Sequence, residues 1–555
     1  MTGGAGRILR WALLLPLVAI PLASCSTDDG AQEGKAMTIG YFAQPDSLDP
    51  AFGFTIPSNA VLTQVYLPLL TYKRVEGPAG TTLMPGLAEE LPEVSADGTS
   101  YSLRLRRGLA YSDGSPVKAS DFEHAIRRIL NLASPAAALY EPIAGAVEYE
   151  EGGRPEADIP GIETDDRTRE ISIRLERPYA AFEHLLAVPF AAPVPADTPF
   201  REMTKRPPPS TGPFEITKSE PNREFVLERN PEFASLGNES VPEAKLDRIT
   251  IKIGPDRTSV GQDVLTGELD YMSDSPPPDL LPRVKEEAGD RYEQHRTDST
   301  IWFFLNGRLP PFDDARVREA VNYAVDKRAV ARVYAGQLQP GCSFLPRGLT
   351  GYDEELDSSG CPFGDPAEPP DLVRARALIR AAGAEGTKVT VWGYDQSPQK
   401  DVVQAYAEML NQIGLETEVK LVEFSVWRQV IGSAETRAQT GFEGLSPAYF
   451  HPLAFFSLVH GDAIRPENNR NTSNIDDPRI NRAIDRLERE RDTDAVAGDW
   501  VELNRYLVSQ GYLIPVGHRI RGTFVSDRID FENCTFFHPI YLEDFSRFCL
   551  KEDEG

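Results

Sequence analysis

Residues 301 to 325 constrain the fold more than any other stretch of this chain. Ile301-Trp302-Phe303-Phe304-Leu305 is an unbroken apolar run closed by Asn306-Gly307, which reads as a buried strand. Pro310 and Pro311 follow as a turn, because proline presets its backbone angle and donates no hydrogen bond. Asp313 and Asp314 then offer carboxylates to the free amides of a helix start, where the helix dipole also favours negative charge. Val317, Ala320, Val321, Ala324 and Val325 recur at helical spacing along one stripe, which must face a core. Strand, tight turn and capped helix together make a rigid wall. Asn306, at the strand's end, is a candidate ligand contact on that wall, its plainer role being to terminate the strand.

The rest of the chain repeats the alternation of strands and helices. Thr38 to Phe42 reads as a first strand, and Tyr101, Leu103 and Leu105 alternate with polar residues as in a strand with one wet face. Thr387 to Tyr394 is a strand, Val402 to Ile413 a helix stopped by Gly414, and Glu416 to Leu421 another strand. That order and those lengths predict a βαβ unit within an α/β protein. A chain of 555 residues exceeds what a single core supports, so two to four lobes are expected.

Charge and the termini narrow the class of partner. The net charge is −27, or −29 once Arg7 and Arg10 of the leader are discounted, and so acidic a surface repels phosphate backbones. Nucleic acid is therefore not an expected partner, anionic lipid is not attracted either, and any membrane attachment must be covalent. Arg7 and Arg10 precede the apolar run Trp11 to Leu22, short for a bilayer span but suited to a signal-peptide core. Leu22-Ala23-Ser24-Cys25 resembles a bacterial lipobox, which implies cleavage after residue 24 and lipidation of Cys25. Residues 25–36 then form a flexible tether. The four other cysteines fall into two short-range pairs, Cys342 with Cys361 and Cys534 with Cys549, and an exported chain is expected to join them as disulfides.

Motifs of catalysis are missing: no Gly-x-Ser-x-Gly elbow, no His-Glu-x-x-His and no phosphate-cradling glycine loop. The seven histidines lack metal-ligand spacing, so neither metal nor cofactor is expected. Aromatics at strand ends stand out instead, above all Tyr41, Trp392, Tyr394 and Tyr449, and aromatic side chains supply broad contact area to a bound solute.

The run "FFLNGRLPPFDDARVREAVNYAVDKRAV" closely resembles the start of the third lobe in the oligopeptide, dipeptide and nickel class of ABC-importer substrate-binding proteins, solute-binding protein family 5. "QPDSLDP" and residues 84 to 130 are similar to further stretches of that family. The resemblance implies a type II periplasmic-binding-protein (Venus flytrap) fold, two α/β lobes plus an extra α+β lobe. Residues 37–60, 201–290 and 515–550 would form the first lobe, 61–200 the extra lobe and 291–514 the third. It implies a monomeric, lipid-anchored receptor, not an enzyme, on the extracytoplasmic face of the membrane or in the periplasm. Such a receptor passes a peptide or other small solute to permease and ATPase subunits; the same fold could instead report a solute to a membrane signalling partner. Tyr41, Gln44, Asn306, Trp392, Tyr394, Tyr449 and His451 fall where the family's cleft lies. Two departures matter. Ala448-Tyr449-Phe450-His451-Pro452 lacks the aspartate with which dipeptide binders hold the peptide amine, and Asp395-Gln396-Ser397 lacks their carboxylate-binding arginine. Short zwitterionic peptides would lose both anchors, so longer peptides or another solute fit better.

Overall fold

Ile249 and Ile251 alternate with polar residues in the strand Arg248–Ile253 and are fully buried. Parallel pairing with Ala36–Tyr41 sets Met37 opposite Ile249 and Ile39 opposite Ile251. These four side chains seed the core of the first sheet, each burial contributing about 1.5–3 kcal/mol. The strand order in that sheet is Tyr271–Met272, Ala36–Tyr41, Arg248–Ile253, Glu224–Arg229, Phe214–Glu220. The computed structural model describes residues 1–3, 35–233, 240–535 and 537–551.

The second sheet, of six strands, is built on Tyr292–Leu305. From Ile301 onward this strand is buried throughout because both its faces are covered. Phe303 stacks on Tyr406 at 3.8 Å, and Trp302 meets Phe344 edge-on at 5.3 Å. The strand begins nine residues before the apolar run: Tyr292 to Arg296 is polar and is held by its antiparallel ladder to Leu513–Phe524. Backbone pairing, not side-chain pattern, makes that half a strand. Helix Ala315–Ala324 follows the turn, and the Asp314 carboxylate accepts from the Arg316 amide at its start. Strands Lys388–Tyr394 and Glu416–Val422 pair in parallel across helix Gln399–Gln412, the βαβ unit expected.

A third sheet of four strands carries the extra lobe. Tyr101 opposes Ile173 and Leu103 opposes Ile171 across its centre, all four buried under helix Ala119–Asn131. His124 in that helix is a core residue whose Nε2 lies 2.8 Å from the Thr198 carbonyl.

Two lobe boundaries differ from those drawn on sequence. Helix Ile56–Val65 buries Ala60, Val61, Leu62 and Val65 in the core of the first sheet, so a division at 60/61 cuts through an element that packs as a unit. The strand Leu513–Phe524 stays in the second sheet to its end, past the division at 514/515, and a backbone bridge to the first sheet follows just beyond it, from Val525 to Tyr271. Cys342 is bonded to Cys361 and Cys534 to Cys549, with Cα separations of 5.8 and 5.3 Å. Cys25 and the lipobox lie outside the described residues. Among the described residues no helix is long and apolar enough to cross a membrane.

Candidate functional site

The first and second sheets meet along a seam of buried charge and aromatic rings. The strand Leu513–Phe524 brings Arg519 and Arg521 to it, two positions apart and so on one face. Arg521 is ion-paired with Glu543, which also accepts from the Tyr271 hydroxyl at 2.9 Å and from Ser273 Oγ at 3.0 Å. Burial works against the Arg521 charge, but Glu543, Tyr271 and Asp274 outweigh it and hold the guanidinium protonated. Asp274 accepts from Arg257 Nε at 2.9 Å, and Arg519 Nη2 lies 3.5 Å away. Burial alone would raise the Asp274 pKa; Arg257, Arg519 and Arg521 together carry it well below the usual carboxylate range.

Arg257 also crosses the seam. It opens helix Arg257–Thr266, its guanidinium sits 3.6 Å over the Phe42 ring, and Nη1 donates at 2.7 Å to the Ser397 carbonyl beside the second sheet. Phe42 in turn faces Phe424 with ring centroids 6.5 Å apart. Around Phe424 the aromatic patch continues: Tyr394 meets Phe424, Trp427 and Phe442 edge-on at 5.1, 5.9 and 5.7 Å.

A second charged group lies where the extra lobe meets the second sheet. Glu443, 1% exposed in strand Thr440–Leu445, pairs with Arg428 at 3.2 Å. Arg428 Nη2 donates at 2.9 Å to the Gly444 carbonyl. Arg470 and Tyr449 lie within electrostatic reach of this pair, and the Tyr449 hydroxyl is buried beside Tyr179 of the extra lobe.

The residues singled out from sequence divide sharply. Tyr394 belongs to the aromatic patch, and Trp392, two positions earlier in the same strand, is half-buried with Lys420 Nζ 5.3 Å from its ring. Tyr449 borders the second charged group. Tyr41 is buried at the end of the first strand, its hydroxyl facing Ser273 and Glu543. Three others make hydrogen bonds within the protein. Gln44 Oε1 accepts from the Asn222 amide and ties two loops of the first lobe. Asn306 donates to the Ala438 carbonyl at 2.9 Å and accepts from the Arg308 amide at 3.1 Å, which makes it a strand terminator. His451 is 2% exposed; its Nδ1 accepts from the Leu453 amide at 3.1 Å, and its Nε2 is 2.9 Å from Thr493 Oγ1. Burial holds that imidazole neutral, and with both nitrogens engaged it has no atom to offer a solute.

Arg257, Asp274, Phe424, Arg428, Phe442, Glu443 and Arg470 were not singled out. Glu443 carried a signal, since an acid within the apolar strand pattern of "TGFEGL" is a charge that needs a buried partner. The others looked like ordinary surface or core residues until the chain was folded. Ser397, whose neighbourhood in sequence lacks an arginine, has Arg257 against it in space.

An open cavity of about 400 Å³ lined by Leu67, Leu87, Arg106, Leu109 and Phe233 shares no residue with these clusters. Asp530, Cys534 and Cys549 are the residues grouped closely enough to hold a metal among those described, but both sulfurs are spent in the disulfide.

Lobes of mixed α/β sheet joined by long crossover strands, with polar and aromatic groups gathered at their seam, define a protein that binds a solute. Residues 82–464 match the family model of bacterial extracellular solute-binding proteins, family 5. The chain belongs to this family, with the type II binding-protein fold, and is a transport receptor rather than an enzyme. It is 27% identical to the dipeptide-binding protein of Escherichia coli (strain K12) over 77% of this chain and 79% of that one. To the periplasmic oligopeptide-binding protein OppA of the same organism it is 28% identical, over 57% of each chain. The solved structure of clavulanic acid biosynthesis oligopeptide binding protein 2 superposes with a TM-score of 0.81 at 27% identity, covering 94% of this chain and 96% of that one.

Proposed function

We propose that this protein is a lipid-anchored receptor that closes its first and third lobes on a peptide or peptide-like solute and delivers it to the permease of an ABC importer. The observation that carries the reading is the seam itself. Arg257 and Phe42 of the first lobe reach Ser397 and Phe424 of the third, next to a patch of four aromatic rings around Tyr394. Groups supplied by both sides touch a solute together only when the lobes are closed, so binding shifts the population toward closure. The names of the relatives, which bind dipeptides and oligopeptides, support the solute class. Tyr394 and Trp392 would stack on the solute, Tyr449 would flank it, and Cys25 would tether the receptor to the membrane.

The test is calorimetry and small-angle scattering of the full chain with a pool of short peptides. Saturable binding with a smaller radius of gyration is expected. A protein that binds no peptide, or binds without compaction, would refute the proposal. Replacement of Cys25 by Ser should release the protein from membranes of expressing cells; retention would exclude the anchor.

A further inference from the structure

Away from the seam, the extra lobe makes its own contact with the third lobe, through buried hydrogen-bonding groups. The Phe450 amide donates at 2.9 Å to the Tyr72 hydroxyl, and the same oxygen lies 2.8 Å from His184 Nδ1. Tyr72 is fully buried. Burial also pushes the His184 imidazole down to about 4, and a neutral ring accepts at Nδ1 when its proton sits on Nε2. The Tyr72 oxygen thus takes the Phe450 proton and gives its own to His184, a directed relay across the boundary between lobes. Next to it, the Tyr449 hydroxyl is hydrogen-bonded to Tyr179. Further along, the Ala180 amide donates at 2.6 Å to the Glu488 carbonyl, and Arg177 pairs with the Glu488 carboxylate at 2.8 Å.

Each end of the relay is fixed to its own body. Tyr72 closes the short strand Leu70–Tyr72, and its amide donates at 3.0 Å to the hydroxyl of Tyr541 in the first lobe. At the other end of that strand the Leu70 amide donates at 3.0 Å to the Leu186 carbonyl, close to His184. The extra lobe is held to the first by the ion pair of Arg128 with Asp49 at 2.7 Å. Phe450 is held to the third lobe by its neighbour His451, through the Leu453 amide and Thr493. The chain enters the third lobe along Tyr292–Leu305 and leaves it along Leu513–Phe524. Opening about those two strands breaks every contact from Tyr72, Tyr179 and Ala180 to the third lobe.

We infer that Tyr72 is a positioning residue for capture: with His184 as its acceptor it latches the extra lobe to the Phe450 amide and holds the third lobe closed without touching the solute. This rests on the reading of the protein as a receptor that closes on a peptide. In the open form water serves the Phe450 amide, the Tyr72 hydroxyl and the His184 ring separately, so the relay favours closure alone. A solute that binds the closed form has its apparent affinity scaled by the closed fraction. Loss of the latch therefore weakens every solute by the same factor and leaves the choice among solutes unchanged.

Calorimetric titration of the full chain with a tripeptide pool and a pentapeptide pool tests this. In Y72F a buried amide and a buried imidazole lose their partner, and the dissociation constant should rise about tenfold for both pools alike. The number of sites per chain should not change. H184F removes the acceptor and should weaken both pools in one ratio, whereas H184N keeps an acceptor where Nδ1 stood and should stay within about threefold of wild type. A merely structural role for Tyr72 would instead lower the number of sites and leave the constant of the folded molecules unmoved. That outcome, a Y72F constant within about twofold of wild type, or a loss confined to one pool overturns the latch while the peptide reading stands. If Y72F does not fold, the other two variants decide: equal affinities of H184F and H184N refute the relay. A wild type that binds neither pool overturns the peptide reading and the latch with it.

Discussion

Asp49 is the second acid of "QPDSLDP", and the structure gives it a load in the fold rather than in the site. Its side chain is fully buried and faces Arg128 of helix Ala119–Asn131, itself 1% exposed. The pair is bidentate, Nη1 to Oδ1 at 3.1 Å and Nη2 to Oδ2 at 2.7 Å. The same carboxylate accepts from the amides of Ala51 at 3.0 Å and Met203 at 2.9 Å. Arg128 also donates to the carbonyls of Pro199 and Arg201 at 3.1 and 3.0 Å. One ion pair therefore joins the loop after the first strand, the main helix of the extra lobe and the connector back to the first lobe. In Asp49→Ala two amides lose their acceptor and a guanidinium stays buried with only two carbonyls. Breaking a buried pair from one side costs about 3–5 kcal/mol, some two to four powers of ten in the folding equilibrium. Urea denaturation followed by tryptophan fluorescence should show that loss in the midpoint at an unchanged slope. Because the pair is buried, about 0.5 M salt should leave the difference standing. The double variant Asp49→Leu with Arg128→Met removes both desolvation costs and should recover more than half of the loss. A single variant within about 1 kcal/mol of wild type, or a double variant no better than the single, would refute the reasoning.

Other consequences concern stability. Lys327 is buried with Nζ 3.0 Å from the Gly341 carbonyl, and burial pushes it from 10.5 down to about 7. Between those values the unfolded chain holds the proton and the folded one does not, so stability rises with pH across the window and the full cost is felt below 7. Lys327→Met should therefore raise Tm most at about pH 6 and hardly at all at about pH 10; equal gains at both would contradict the assignment. The Cys534–Cys549 bond spans a separation of 15 residues, for which chain entropy predicts about 3 kcal/mol. Replacing both cysteines by serine should lower the urea midpoint accordingly, and a midpoint unmoved would mean the bond does not restrain the unfolded chain.

Local chemistry was legible in the chain before it was folded. The apolar run Ile301 to Leu305, the cap at Asp314, the amphipathic stripe from Val317 to Ala324 and the strand, helix and strand from Lys388 to Val422 all follow from the residue pattern within each element. The seam follows no such rule. Arg257 reaches Ser397 across 140 residues, Tyr271 reaches Glu543 across 272, and Arg128 reaches Asp49 across 79. Periodicity tells a side chain which way to point, never what it will meet, so His451 and Asn306 looked available and are spent, while Glu443 sits buried beside Arg428. Sequence alone determined the elements and their class, because hydrogen bonds and burial within an element depend on near neighbours. Which charges are paired was decided only when distant strands came together, since desolvation and pairing are properties of the assembled seam.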